Sequence, residues 1–313
     1  MRINVGPLPP PIGGISTYLY RLSKIKKDEL FISDSKVTLL KLIIYFMRGN
    51  VLVFHSFMAK HILILLLFSR FCRGKYVICF YGEGLKIIFN NANIIKKELL
   101  HLIITKASNI EVVNDHIFSI VAMIEPRCTD KIIMKCDRLP PPLEDEEKIL
   151  KTYDDGIHEF FATHSQVILL NAFRLAMYNG IDLYGVDISI DALHILKKKY
   201  KDIGLFFALP DSEYNKEYFN KLQDKIKEYG LEDSFYVMTG QRELWPLFKK
   251  ASVFIRPTCT DGDALSIGEA LYFKCPTIAS DVCKRPDGVI MFKSRDTFQL
   301  VQKIEQVLKN GVI

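Results

Sequence analysis

No apolar run in this 313-residue sequence approaches the roughly 20 residues that a bilayer-spanning helix needs. The longest, Ile62 to Phe68, has seven. The first residues, Met1-Arg-Ile-Asn-Val-Gly, lead straight into a Pro/Gly loop with no apolar segment of the kind a secretory signal carries, so none is expected. The seven cysteines are odd in number and contain no Cys-x-x-Cys pair, which argues against both a disulfide framework and a zinc site. Reduced thiols in a cytoplasmic protein are the expectation. Among the seven histidines there is no His-Glu-x-x-His spacing, so no metal is expected. Gly-x-Gly-x-x-Gly and Gly-x-Ser-x-Gly are also missing, which removes the dinucleotide fingerprint and the common hydrolase elbow. The one tryptophan, Trp245, precedes Pro246 and reads as a packing residue. With 49% hydrophobic residues, the chain has ample material for sizeable cores, which excludes a disordered polypeptide.

The charge that is present divides unevenly. Residues 1–138 carry 20 Lys/Arg against 10 Asp/Glu, a net of +10, whereas residues 139–313 carry 22 against 26. Such asymmetry implies two domains with different partners, the basic one facing something anionic. Strand-like runs alternate with helical patterns throughout, as in parallel sheets flanked by helices. Strands are expected over 2–5, 51–55, 76–80, 110–113 and 131–135, and again over 167–172, 205–209, 235–238, 253–256, 277–279 and 289–292. Helices are expected over 16–25, 58–71, 94–106 and 117–124, then over 188–200, 214–229, 244–251, 264–273 and 297–308. Between the halves, Leu139-Pro-Pro-Pro-Leu-Glu-Asp-Glu-Glu interrupts the alternation, because three prolines stiffen the backbone and forbid helix. The organisation expected is a first domain over 1–138, a linker over 139–163 whose residues 144–163 read as a charged, irregular or short helical excursion, and a second domain over 164–313. A ligand belongs in the crevice at the carboxyl ends of the strands.

Three segments carry candidate chemistry. Gly13-Gly14-Ile15-Ser16 follows the first strand and opens a helix. Two glycines allow close backbone approach and the helix amides favour an anion such as phosphate; equally, Ser16 is an N-cap and the glycines serve the turn. Arg256-Pro-Thr-Cys-Thr-Asp261-Gly262-Asp263-Ala264-Leu265-Ser-Ile-Gly-Glu269 leads from a strand into a helix. Amides of 262–265 can receive a diphosphate, and fixed carboxylates can accept the paired hydroxyls of a sugar or ribose. The alternative is that Asp261 or Asp263 caps the helix while Glu269 sits on a solvated face. Asp-Gly-Asp also has the form of a metal-holding pair, but the flanking domain order does not suit the fold that uses it. In Asn171-Ala-Phe-Arg174-Leu, the arginine lies at a strand end, placed to grip a diphosphate or to form a surface ion pair.

The chain resembles the retaining glycosyltransferases of family 4, the glycosyl transferases group 1, most strongly over 166–292. Asp261-Gly-Asp-Ala-Leu-Ser-Ile-Gly-Glu269-Ala is similar to their E-x7-E segment with Asp in place of the first Glu. Cys275-Pro-Thr-Ile-Ala-Ser-Asp-Val and Pro286-Asp287 resemble its continuation, Phe173-Arg174-Leu matches Gly-Arg-Leu, and Pro11-Ile-Gly-Gly14 looks like the Pro-x-Gly-Gly loop. Tyr81-Gly82-Glu83-Gly takes the place of a His-Gly or His-Asp segment. The resemblance implies a GT-B fold, two Rossmann-like domains facing each other across a cleft. It implies a hexosyltransferase-type, retaining enzyme that uses a nucleotide-sugar, a UDP-sugar by family frequency, without a metal or other cofactor. Arg174, Asp261 and Glu269 would be catalytic, neutralising the leaving phosphate, contacting the transferred sugar and binding the ribose. Gly13, Gly14, Asn179, Gly262, Asp263, Ala264 and Leu265 would complete the donor site, with Tyr81 and Glu83 on the acceptor side.

The departures set the alternatives. Asn179 stands where the family has a phosphate-binding lysine, and Lys284 and Arg285 are candidates to replace its charge. Tyr81 replaces the usual histidine. A non-catalytic sugar-nucleotide-binding or membrane-binding partner would show such losses, and a GT-B epimerase would need no acceptor. Basic residues around the apolar stretches 39–46 and 62–68 fit docking on an anionic membrane at the inner face of the cell envelope, with a lipid-linked or surface-polysaccharide glycan as acceptor. The same stretches also read as buried helices with a solvated lysine face. No motif accompanies the charge to suggest nucleic acid.

Overall fold

The structure is a computed structural model that describes residues 1–69, 71–135, 139–262 and 264–310. Packing divides the chain into Met1–Leu139 and Pro140–Ile313.

The first unit is built on six parallel strands: β1 (Arg2–Gly6), β2 (Leu30–Ser33), β3 (Val51–Phe54), β4 (Lys75–Phe80), β5 (Asn109–Val112) and β6 (Ile132–Met134). They run in the order β2-β1-β3-β4-β5-β6. The helices are α1 (Gly14–Ile25), α2 (Leu39–Met47), α3 (Ala59–Phe68), α4 (Gly84–Asn90), α5 (Ile94–Lys106) and α6 (Asp115–Ile124). The two-residue period of a strand explains the layering. Ile3, Val5, Leu52, Phe54, Ile78, Phe80, Ile110 and Val112 enter one core with Leu42, Phe46, Ile62 and Leu65 from α2 and α3. Each such buried side chain stabilises by about 1.5–3 kcal/mol. Alternate residues on the opposite face include Asn4, Cys79 and Glu111, which are buried and polar, so this face carries a hydrogen-bonded network. β2 had no strand signal in the sequence. Its four residues follow Lys26-Lys-Asp-Glu and form a half-buried edge strand.

The second unit begins with α7 (Glu146–Leu150) and α8 (Asp155–Thr163). The stretch 139–163, expected as a linker, therefore contains two helices. Ile149 of α7 and Ile157 and Phe160 of α8, with Tyr153 from the turn between the two helices, join the core of this unit. Next come β7 (Gln166–Asn171), the short β8 (Met177–Tyr178) and β9 (Ile181–Asp182), α9 (Val186–Lys197), β10 (Ile203–Leu209) and α10 (Lys216–Glu228). β11 (Phe235–Thr239), β12 (Val253–Arg256), α11 (Leu265–Tyr272), β13 (Thr277–Ser280), β14 (Val289–Phe292) and α12 (Thr297–Asn310) complete it. The main sheet is parallel in the order β11-β10-β7-β12-β13-β14. Ile168, Leu170, Leu205, Phe207, Val253 and Ile255 pack with α9, α10 and α12 on one side. Val167, Leu169, Phe206, Ala208 and Phe254 pack with α7, α8 and α11 on the other. The chain leaves β7 toward β10 and returns to β12 on β7's other side, so the switch point of this sheet lies between β7 and β12. The helix expected over 244–251 is a 3-10 turn, Trp245–Lys249, with Pro246 in its first turn; Trp245 is buried and stacks on Phe273.

Candidate functional site

Arg256 ends β12 and Asn171 ends β7, the two strands that flank the switch point. Arg256 donates through Nη1 to Asn171 Oδ1 (3.3 Å) and through Nε and Nη2 to the two oxygens of Asp261 (both 3.1 Å). Its guanidinium also lies 5.2 Å from the Tyr184 ring centre. Arg285, buried beyond β13, donates to Asp261 Oδ2 (2.8 Å), the Ser280 carbonyl (3.0 Å) and the Thr258 hydroxyl (3.4 Å). Thr258 Oγ1 and the Gly262 amide complete the shell of Asp261. Burial raises the Asp261 carboxyl, but Arg256 and Arg285 outweigh it and hold the group below the usual carboxylate range. Two guanidiniums on one carboxylate leave a net positive charge in a largely desolvated place, where an anion gains more than it would in water. The sequence motif contained Arg256 without assigning it a role. Arg285, considered a replacement for a missing phosphate cation, is instead fully engaged in fixing the loop; Lys284 is exposed.

Arg174 lies three residues beyond β7 and forms a single parallel bridge with Asp211. Its guanidinium stands 4.0 Å above the Tyr214 ring centre, which preorganises an otherwise exposed cation. Asn179 and Gly180 form the two-residue turn between β8 and β9, with φ of 50° and 77°. That left-handed geometry selects Asn-Gly and supplies a local reason for asparagine here. Asn179→Lys is expected to cost about 1 kcal/mol of stability, read as a lower midpoint in chemical denaturation, whereas Asn179→Gly stays within a few tenths.

Asp182 attracted no notice in the sequence. Its buried carboxylate accepts from the amides of Tyr184 (2.9 Å), Gly185 (3.2 Å), Val186 (2.9 Å) and Asp187 (3.3 Å), and from the Tyr218 hydroxyl (3.0 Å). The N-terminus of α9 is thus filled by an internal anion. Gly185 has φ 68°, and a Cβ there would meet the Pro257 carbonyl oxygen at 2.3 Å, so this approach to the loop after β12 requires glycine. Glu269 lies well inside α11 and is buried, which removes the solvated-face reading. Burial, then Glu243 and Glu269, push the Tyr153 phenol up, which places Glu269 in the electrostatic reach of Tyr153. Ala264 is the N-cap of α11 and Leu265 its first residue; the Gly262 amide is turned to Asp261. Asp263 lies outside the described residues.

In the first unit, Gly13 is the N-cap of α1, and Ser16 closes back on it by accepting from the Gly13 amide (2.9 Å). Ser16 is therefore the third helical residue and not the cap. A Cβ on Gly14 would touch nothing within 4 Å, so the packing of the chain does not demand glycine there. A pocket of about 290 Å³ opens where β1, β3 and β4 end, lined by Pro7, Asp34, His55, Ser56 and Tyr81 among others. Ser56 donates to Asp34 at its edge. Glu83 pairs with His116 (2.7 Å) at the start of α4. Tyr81 Oη lies 2.5 Å from His55 Nδ1, His55 Nε2 lies 3.0 Å from Asn4 Oδ1, and Asn4 Nδ2 donates to Glu29 (2.7 Å). The carboxylate can only accept, so Asn4 turns its oxygen to His55, whose Nε2 must carry the proton. Nδ1 then accepts from the Tyr81 hydroxyl.

Burial pushes His55 down to about 3, with Lys135 and Arg2 adding to the fall and Glu111 opposing it. The unfolded chain takes up a proton near pH 6.5 that the folded chain refuses, so this residue's stability contribution is whole above 6.5 and shrinks as pH falls toward 3. Between pH 6.5 and about 5, above the carboxylate range, the wild type is expected to lose about 1.4 kcal/mol per unit more than His55→Asn. Parallel denaturant titrations across that window check it, and equal slopes would refute a neutral buried His55.

Among the described residues there is no cluster of three metal-ligating side chains, and no helix is long and apolar enough to cross a membrane. Residues 173–311 match the glycosyl transferases group 1 family model. The group 1 segment contains Arg174, Asp182, Arg256, Asp261, Glu269 and Arg285. Comparison with curated proteins gives no sequence match. Among solved structures, the chain is similar to Anabaena Alr3699/HepE in complex with UDP-glucose, with TM-score 0.72, 13% identity and coverage of 99% of this chain and 90% of that one. It is also similar to an α,α-trehalose-phosphate synthase (UDP-forming) from Burkholderia xenovorans in complex with glucose-6-phosphate, with TM-score 0.69, 11% identity and coverage of 99% and 92%. A glycosyltransferase from Rickettsia africae is similar at TM-score 0.66 and 15% identity, covering 98% and 88%. These likenesses establish an α/β fold of the GT-B type, with its two parallel six-stranded sheets.

Proposed function

We propose that this chain is a retaining glycosyltransferase that moves a sugar from a nucleotide-diphosphate donor, a UDP-sugar, to a glycan or lipid-linked acceptor. The observation that carries this reading is the position of the group 1 match. It spans the strand ends that hold Arg174 and the Arg256–Asp261–Arg285 cluster. Arg174 and Arg256 bind the diphosphate and stabilise the charge that develops as its bond to the sugar C1 breaks. The acceptor oxygen bonds C1 on the same face and passes its proton to the departing phosphate oxygen, so positioning supplies much of the rate. Glu269 binds the ribose. Asp261 acts through the arginines it holds, and their charge fills the role that a divalent cation would take. Tyr81, in the first unit, accepts from an acceptor hydroxyl. A cytoplasmic setting at the inner face of the membrane suits the six cysteines that form no disulfide among the described residues.

Calorimetric titration with UDP, GDP and ADP tests the reading. Micromolar binding of UDP is expected, unchanged by EDTA and lost in Glu269→Ala. No binding of any nucleotide sinks the donor site. One observation favours a second reading, a non-catalytic nucleotide-sugar-binding partner: Asn179 is neutral, where the family that the sequence resembles is expected to carry lysine. UDP binding without turnover of any UDP-sugar decides for that partner, and donor conversion without acceptor decides for an epimerase.

A further inference from the structure

Helices α4 and α5 are joined by the short turn 91–93 and present isoleucines outward on both sides of it. Ile87, Ile88, Ile94 and Ile95 are 54%, 42%, 80% and 71% exposed. Leu85, Leu100, Ile103 and Ile104 on the same two helices are buried, so the hairpin is anchored and has no need of the outer four. The apolar stretches prominent in the sequence, 39–46 and 62–68, send Leu42, Phe46, Ile62 and Leu65 into the core and leave Leu40, Ile44 and Leu67 exposed, but none of these three lines the pocket. Lys86, Lys96 and Lys97 flank the outward isoleucines, and Lys97 Nζ lies 5.0 Å from the Phe89 ring centre. The nearby Glu83 is already engaged by His116 and Lys86. Apolar side chains this exposed mark a surface that meets something apolar. Lysines beside them, on a domain of net charge +10, match an anionic lipid face. Ile88 and Leu85 also line the pocket beside Tyr81, so the patch runs to the pocket mouth.

We propose that the α4–α5 hairpin seats the first unit on an anionic bilayer. Ile87, Ile88, Ile94 and Ile95 enter the acyl boundary, and Lys86, Lys96 and Lys97 meet the headgroup phosphates. The pocket then takes an amphiphilic acceptor directly from the membrane surface. That last step rests on the transferase reading; the docking does not.

The test is co-sedimentation of the full chain with vesicles of phosphatidylcholine alone or with roughly 30% phosphatidylglycerol. The wild type is expected to bind the anionic vesicles, and Ile94→Ser/Ile95→Ser to bind at least about tenfold more weakly at any salt concentration. Lys96→Gln/Lys97→Gln should weaken binding at low salt and differ little at high salt, where surface charge is screened. Both variants should keep the wild-type circular dichroism spectrum and urea-denaturation midpoint, which shows that they fold. Absence of wild-type binding, or equal binding by the isoleucine variant, overturns the proposal. So does a dimer in light scattering that the isoleucine variant dissolves, because a second copy would then cover the patch. Vesicle binding without any nucleotide binding sinks the transferase reading alone.

Discussion

Asp261→Asn is expected to destabilise the second unit by about 3–5 kcal/mol, because it leaves two guanidiniums without their counter-ion. Arg285 is buried and Arg256 nearly so, and both direct their shortest side-chain bonds to this carboxylate. An asparagine keeps the shape and part of the hydrogen bonding but removes the charge, so the loss measures the electrostatics. The pH dependence carries the same sign. Asp261 titrates lower in the folded chain than in the unfolded one, so its contribution is whole above the unfolded value near 3.8 and disappears as pH falls below it. Urea denaturation at neutral pH and in the acid range checks both statements. Arg256→Met/Asp261→Asn should cost less than the sum of the single changes, since one charge of each sign leaves together. Additive losses would show that the three groups do not act as a unit.

Arg174→Ala is expected to lower kcat for sugar transfer by about 10²–10³-fold, the usual loss when one donor to a developing anion is removed. Stability should change by less than about 0.5 kcal/mol, because the side chain is exposed and its contact is the Tyr214 ring. Arg256→Lys gives the complementary case. It retains the charge but cannot make the forked contact to Asp261, so both stability and turnover should fall. Steady-state kinetics with a UDP-sugar donor, alongside denaturation curves, distinguishes the two arginines. An Arg174→Ala enzyme with unchanged kcat would remove that residue from the diphosphate. A rise in KM alone would assign it to ground-state binding.

The α/β alternation was legible because a parallel strand buried on both faces reads as a short continuous apolar run. The segments 205–209 and 253–256 show this. The half-buried edge strand β2 carried no such run, and the 3-10 turn at Trp245–Lys249 followed from Pro246, which also permits the start of an α-helix. At the site, Arg174, Asp261 and Glu269 stood out as residue types at strand ends and helix starts. The Asn179-Gly180 pair is a hairpin signal in its own right, overshadowed by the absence of a lysine at that place. Arg256 did not stand out beside the carboxylates of its own segment, and Asp182 did not because an aspartate before a helix is locally ordinary.

Composition and periodicity alone determined two α/β units of opposite charge, with candidate residues at the carboxyl ends of strands. Only the tertiary structure decided which side chains share charge and protons. Asn171 reaches Arg256 across 85 residues, Arg285 reaches Asp261 across 24, and His55 joins Asn4 to Tyr81 across three strands. Strand order creates these pairs, and strand order follows from how whole faces bury against one another. Exposure was decided at the same level. Ile94 and Ile104 belong to one helix and one residue type, yet one faces outward and the other is core, because only one side of α5 meets the sheet.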